Sequence, residues 1–252
     1  MKLTDLLNEG MYDKLVGEIN RDIFKTIKSA MMGSGTQQVP KKYKGYPVRR
    51  DPAPSLSIGK LFDSEDRFLY VGEYSDGVSG TDVEVQLKFA VTEDGVREGQ
   101  FYIDGASEED EDYPMIEVHI AVHPNDGEKI FSKIQPILRD LVRHEVEHQT
   151  HSRKSANKKD SKVMWGDKAM RRKIRQNPDI YYKYFLLPKE VDANIHGLYS
   201  KAKTLKKPYQ TVVDDYLDSL VNDGIILPTH RIMIYKKWKE RILKIGGIPT
   251  LK

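Results

Sequence analysis

Apolar residues near the start of the chain recur at helical spacing: Leu3, Leu6, Leu7, Leu15, Ile19, Ile23 and Ile27. That period predicts one or two amphipathic helices within residues 1–30. Residues 31–56, including GSGTQQVPKKYKGYPVRRDPAPS, lose the period and are rich in Gly, Pro, Ser and basic residues, which reads as a linker or loop. From Ser57 to His123 the pattern changes again. SIGKLF, RFLYVGEY, TDVEVQLKFAVT, GQFYID and MIEVHIAVH carry β-branched and aromatic residues with partial alternation, and SDGVSG and EDG separate them as turns. The short connections imply an antiparallel meander of about five strands.

Helical spacing returns after HPNDG, with Ile130, Ile134, Ile137, Leu138 and Leu141 on one stripe. Pro136 either opens this helix or kinks a longer one. Pro188 suits the first turn of a further helix over Lys189–Leu205, and two more helices close the chain near Val212–Asp223 and Thr229–Ile245. The order predicts an α+β fold: an antiparallel or mixed sheet, then a helix carrying the site, then a helical C-terminal part. The expected domain plan is an N-terminal helical segment (1–30), a linker (31–56), a catalytic domain (57–207) and C-terminal helices packing on it (208–252).

Composition narrows the functions available. No apolar run approaches the length of a membrane span, and MKLTDLLNEGMYDKL lacks the apolar core of a signal peptide. The chain has no Cys, so a transition metal could bind only His, Asp or Glu. The net charge of +3 is too small to imply a nucleic-acid partner. Charge is uneven, however: GASEEDEDYP is acidic, and HSRKSANKKDSKVMWGDKAMRRKIRQ, from His151 to Gln176, is strongly basic. Residues 153–175 could meet nucleic acid through its phosphates, but the reading favoured is a solvated connector or a flap beside the site.

The densest chemistry lies in LVRHEVEHQTH, residues 141–151, which holds three of the seven His. His144-Glu145-Val146-Glu147-His148 matches H-E-x-x-H. Residues four apart share a helix face, so both imidazoles can reach one ion. Glu145 can then take a proton from a water on that ion. Chance alone would place this pattern in roughly one such chain in a hundred, which is suggestive rather than decisive. Glu190, near the start of the next helix, is a reasonable third ligand that leaves a fourth position for water. Glu147 reads as solvent-facing. His151 shares the face of His144 but stands about 10 Å along the axis from it, too far to close a tetrahedral site, so it is expected to cap the helix end. His119 and His123 read as sheet surface, His196 and His230 as structural, and Tyr181, Tyr182, Tyr184 and Phe185 as packing against the active helix.

HEVEH followed some forty residues later by EVDAN resembles the gluzincin-type zinc metallopeptidases, of which thermolysin is the familiar member. The likeness covers roughly Ser57 to Leu205. It implies Zn²⁺ held by His144, His148 and Glu190, Glu145 as general base toward a metal-bound water, and a peptide or protein substrate. It also implies that the last strand, with Glu117, Val118, His119 and Ile120, is the edge along which a peptide lies. Two departures stand out. Thermolysin-like enzymes have an Asp four residues after the third ligand to hold an imidazole; this chain has Asn194 there, with Asp192 two residues earlier. No second His downstream is an obvious oxyanion donor, which leaves Tyr181, Tyr182, Tyr184 and His196 unranked. The MKLTDLLNE start and the lysine-rich, cysteine-free style are similar to small H-E-x-x-H proteins of tailed bacteriophages. That likeness implies a virion or host-cytoplasmic location and phage structural proteins as partners, and it supports the rival reading of a virion or assembly protein with a structural metal or none.

Overall fold

The computed structural model describes residues 3–31, 68–75, 82–92, 96–108, 114–156, 170, 173–174 and 177–252. The expected linker, the first expected strand (SIGKLF) and most of the basic segment 153–175 lie outside the described residues. The fold is α+β, with one mixed four-stranded sheet and a helical C-terminal part. The chain divides into two compact units: Leu15–Leu138, and Met1–Lys14 together with Arg139–Lys252.

One helix, α1 (Leu3–Met31), spans the stretch where one or two were expected, and from Leu15 onward it belongs to the first unit. Its stripe of Val16, Ile19, Ile23 and Ile27 is completely buried. Tyr74 donates a hydrogen bond to Asp22 of α1 (3.2 Å). The strands are β1 (Phe68–Ser75), β2 (Asp82–Val91), β3 (Phe101–Glu108) and β4 (Met115–Val122). They lie in the order β1-β2-β4-β3, with β2 and β4 parallel and the other pairs antiparallel. The meander expected from sequence is therefore corrected. So is the edge strand: Glu117, Val118, His119 and Ile120 lie on β4, which is paired on both sides. Among the described residues the edges are β1 and β3. Composition explains the swap. Ile116, Val118, Ile120, Ala121 and Val122 suit a strand enclosed by neighbours, whereas Asp104, Ser107 and Glu108 give β3 a polar edge.

Alternation gives the sheet two unlike faces. Val83, Val85, Leu87, Ile116, Val118 and Ile120 are buried on one. The other brings Gln86 opposite Glu117 and Lys88 opposite His119. There Glu117 accepts from Lys88 (2.8 Å) and from His119, and both Lys88 and Glu117 are buried. His119 is thus tied into a buried ionic cluster and is more than sheet surface.

In the second unit, α2 (Phe131–Ala156) contributes from Arg139 onward. A 3-10 segment (Pro178–Leu186) leads into α3 (Pro188–Leu205), α4 (Tyr209–Asn222) and α5 (Pro228–Ile245). Pro136 lies inside α2, so it interrupts a longer helix and does not open it. Pro188 opens α3 as its sequence position suggests, and Lys206 closes it in the left-handed conformation, donating to the carbonyls of Ala202 and Lys203. Phe185, Ile195, Leu198, Val213, Leu217, Ile234 and Trp238 form the core, with Trp238 donating to the carbonyl of Phe185 (3.0 Å). Tyr181 and Tyr184 stack on each other and pack on this core. His230 stacks on Tyr182 and accepts from the Leu227 amide, a structural role.

Burial acts to raise the Glu117 carboxyl, but the hydrogen bonds from His119 and Lys88 outweigh it and hold the pKa below its ordinary value. A depressed carboxylate stabilises the fold above its unfolded pKa of about 4.3, and that stability is lost as pH falls through the folded value. Glu117→Gln is expected to cost about 3 kcal/mol at pH 7, because it takes from the buried Lys88 the carboxylate 2.8 Å away. Urea denaturation at pH 7 and at a pH below the depressed folded pKa should show this cost shrinking, because wild type is itself protonated at the lower pH. An equal cost at both pH values would remove Glu117 from the acid limb.

Candidate metal centre

Two helices of one unit build the site. On α2, the i to i+4 spacing sets His144 and His148 on one face, with ring centroids 4.7 Å apart. On α3, Glu190 occupies the first turn, where a carboxylate is favoured by the helix dipole. The His144 and His148 Nε2 atoms lie 3.0 Å apart, and Glu190 Oε2 lies 3.5 and 3.6 Å from them. These are the three residues the sequence singles out as ligands, and the described residues contain this one such group. Ligand atoms set tetrahedrally around a zinc-sized ion at about 2.0–2.1 Å stand about 3.3 Å apart. The three separations bracket that value, so the residues fit such an ion.

Glu190 is completely buried, His148 nearly so, and His144 reaches the surface in part. Burial pushes the Glu190 carboxyl up, yet the two imidazoles facing it hold it well below the usual carboxylate range. For His144, burial works against the charged ring, and Glu190, Glu145 and Asp140 outweigh it, raising the pKa. Such a set can share a proton among two imidazoles and a carboxylate, or hold a divalent cation. Glu145 follows His144 on α2 and is buried.

The surroundings depart from the sequence reading in three places. Glu147 is not solvent-facing: it is buried and bonded to the buried Arg143 (2.6 Å), whose guanidinium lies over the Tyr12 ring. α2 continues to Ala156, so position 151 lies within the helix and not at its end. Asn194 donates to the Glu190 carbonyl within α3 (2.7 Å) and accepts from Tyr216 of α4 (3.4 Å). Asp192 takes a bidentate pair of bonds from Arg241 of α5, both 2.6 Å. His196 stands 4.0 Å from Glu147.

Two residues escaped the sequence reading. Gly197 lies where α3 passes α2, and a Cβ built there would meet the Asp140 side chain, the Asp140 carbonyl at 2.9 Å and His144 Cβ at 3.5 Å. Asp140 lies one turn before His144 and pairs with Lys201 (3.7 Å). An isolated glycine inside a helical pattern was the available signal for the first. Comparison with protein-family models, curated proteins and solved structures found no match.

Gly197→Ala tests the close approach. Backbone cannot yield as a side-chain tip does, so α2 and α3 must part. A loss of about 1–3 kcal/mol is expected in chemical denaturation, although alanine is the better helix former. A variant as stable as wild type would show that the helices have room to spare.

Proposed function

We propose that this protein is a zinc-dependent metallopeptidase, with His144, His148 and Glu190 as ligands, Glu145 as general base, and a peptide or protein substrate. The observation that carries the reading is the convergence of three ligand atoms from two helices, at 3.0, 3.5 and 3.6 Å. The donor set, two imidazoles and one carboxylate, suits zinc. When bound, zinc would supply Lewis acidity to a water and to a substrate carbonyl.

The chain's own residues do the rest. Both imidazoles present Nε2 to the centre, and Glu190 offers a carboxylate whose charge their rings favour. Asn194 ties the first turn of α3 to its second, and the Arg241–Asp192 clamp joins α3 to α5, so Glu190 is held before anything binds. The role of proton acceptor is assigned to Glu145 because it adjoins His144 in sequence, is buried, and its charge acts to raise the His144 pKa.

The burial of Glu190 and His148 also favours a second reading. In it a metal braces the two helices of a virion or assembly protein and performs no chemistry. Among the described residues no helix is long and apolar enough to cross a membrane, so neither reading draws on a membrane span.

Elemental analysis should find about one zinc per chain in wild type, and little in His148→Ala. Glu145→Gln should keep the zinc and the fold while slowing cleavage of a peptide library by about 10²–10⁴-fold, since the amide cannot take the proton. Zinc present in both proteins with no cleavage by either would favour the bracing role. Absence of zinc from wild type after incubation with the metal would sink both readings.

A further inference from the structure

Solitary apolar residues on a protein surface are ordinary, whereas a concentration of them marks a contact surface. Among the described residues seven large apolar side chains are exposed, and five of them lie between Ile225 and Leu243, on α5 and the turn that enters it. Leu227, Leu243 and Ile232 are 60–67% exposed.

One side of α5 serves the fold: Ile234, Trp238 and Ile242 enter the core of the unit. With 3.6 residues per turn, the opposite side carries Ile232, Met233, Lys236, Lys237, Leu243 and Lys244, all exposed. The two arginines of α5 are tied to neighbouring helices, Arg231 to Asp214 and Asp218 of α4 and Arg241 to Asp192 of α3. The three outward lysines are not: among the described residues none of them forms an ion pair. One acid, Glu240, stands among them, so the side is net positive. The partner that fits must take both features. Protein interfaces centre on apolar and aromatic residues and are depleted in Lys, yet here lysines stand between Ile232 and Leu243. A nucleic-acid backbone engages cationic and polar groups and would leave Ile232 and Leu243 in water. An anionic bilayer takes both, because lysine stems reach the headgroup phosphates while apolar side chains enter the acyl boundary. Ile232 and Leu243 share one stripe about 16.5 Å long, which suits a helix lying flat in that boundary.

We propose that the outer side of α5 docks on an anionic lipid bilayer, with Lys236, Lys237 and Lys244 at the headgroups and Ile232, Met233 and Leu243 at the acyl boundary. The attachment is peripheral and needs no membrane span. It stands independently of the metal centre.

The test measures binding of the full chain to vesicles by co-sedimentation at about 50 mM salt, where surface charge is little screened. Vesicles of phosphatidylcholine mixed with phosphatidylserine are compared with vesicles of phosphatidylcholine alone. Wild type is set beside a triple variant (Lys236→Gln, Lys237→Gln, Lys244→Gln) and a double variant (Ile232→Gln, Leu243→Gln). Every substituted position is exposed, so melting temperatures should stay at the wild-type value. Wild type is expected to bind the anionic vesicles only. A lysine at such a surface is worth about fivefold in affinity, so the triple variant should bind about 100-fold more weakly. The double variant should lose about tenfold, having less apolar surface to bury. Wild type that ignores the anionic vesicles overturns the proposal. So does binding that neither variant weakens, since the contact would then lie elsewhere on the chain. A loss in the triple variant alone, with an equal loss in binding to a DNA duplex, assigns the surface to nucleic acid and overturns the proposal as well.

Discussion

The closeness of α2 and α3 at Gly197 governs the unit that bears the site. Carboxylate side chains are short, and Glu190 reaches the two imidazoles only if its helix lies hard against theirs. Packed helices keep their axes about 8–10 Å apart, with the side chains at the contact setting the figure. Glycine removes the side chain at the point of contact. Glu190 precedes Gly197 by seven residues, two turns along the same face, so the approach permitted at one is delivered at the other. A glycine inside a helix costs about 1 kcal/mol relative to alanine. The three-atom convergence is what the chain obtains by accepting that cost.

Close packing forces charge indoors, and the way that charge is arranged explains the rest of the unit. Between Val142 and Gln149 nearly every α2 side chain is buried, including Arg143, Glu145, Glu147 and His148. Buried ions are tolerated when paired and bonded. Arg143 answers Glu147 within α2, Lys201 answers Asp140 across to α3, and Arg241 answers Asp192 from α5. Each pair settles its own charge, and two of them also join one helix to another. What remains at the centre is Glu190 facing two imidazoles, with Glu145 alongside. Local neutrality around that group depends on what the imidazoles carry or hold.

The His144–His148 pair was legible because its spacing is local, one helical turn, and Glu190 because a proline marks the start of the helix that carries it. The helices were legible for the same reason, since period and proline placement act over a few residues. Glu147 was misread because a one-dimensional pattern assigns a charged residue to water, and only tertiary structure reveals that Arg143 and Tyr12 enclose it. The sheet order was misread because short connections suggest neighbours, while β4, with one face fully apolar and the other tied by Glu117 to Lys88 of β2, lies between β2 and β3. Gly197 and Asp140 stand 57 residues apart in the numbering, and no local pattern pairs them.

The sheet order also dictates how the strands can come together. β1 with β2, and β3 with β4, are antiparallel neighbours in sequence, so each pair can form from a short stretch of chain. Among the described strands, the two pairs meet along the parallel seam from Glu84–Met115 to Val91–Val122. That seam demands the longer chain closure, and its entropy is spent before its contacts are gained. Folding of this unit is therefore a meeting of two hairpins. The seam residues Val85, Leu87, Val118 and Ile120, all fully buried, supply the long-range contacts that this closure gains.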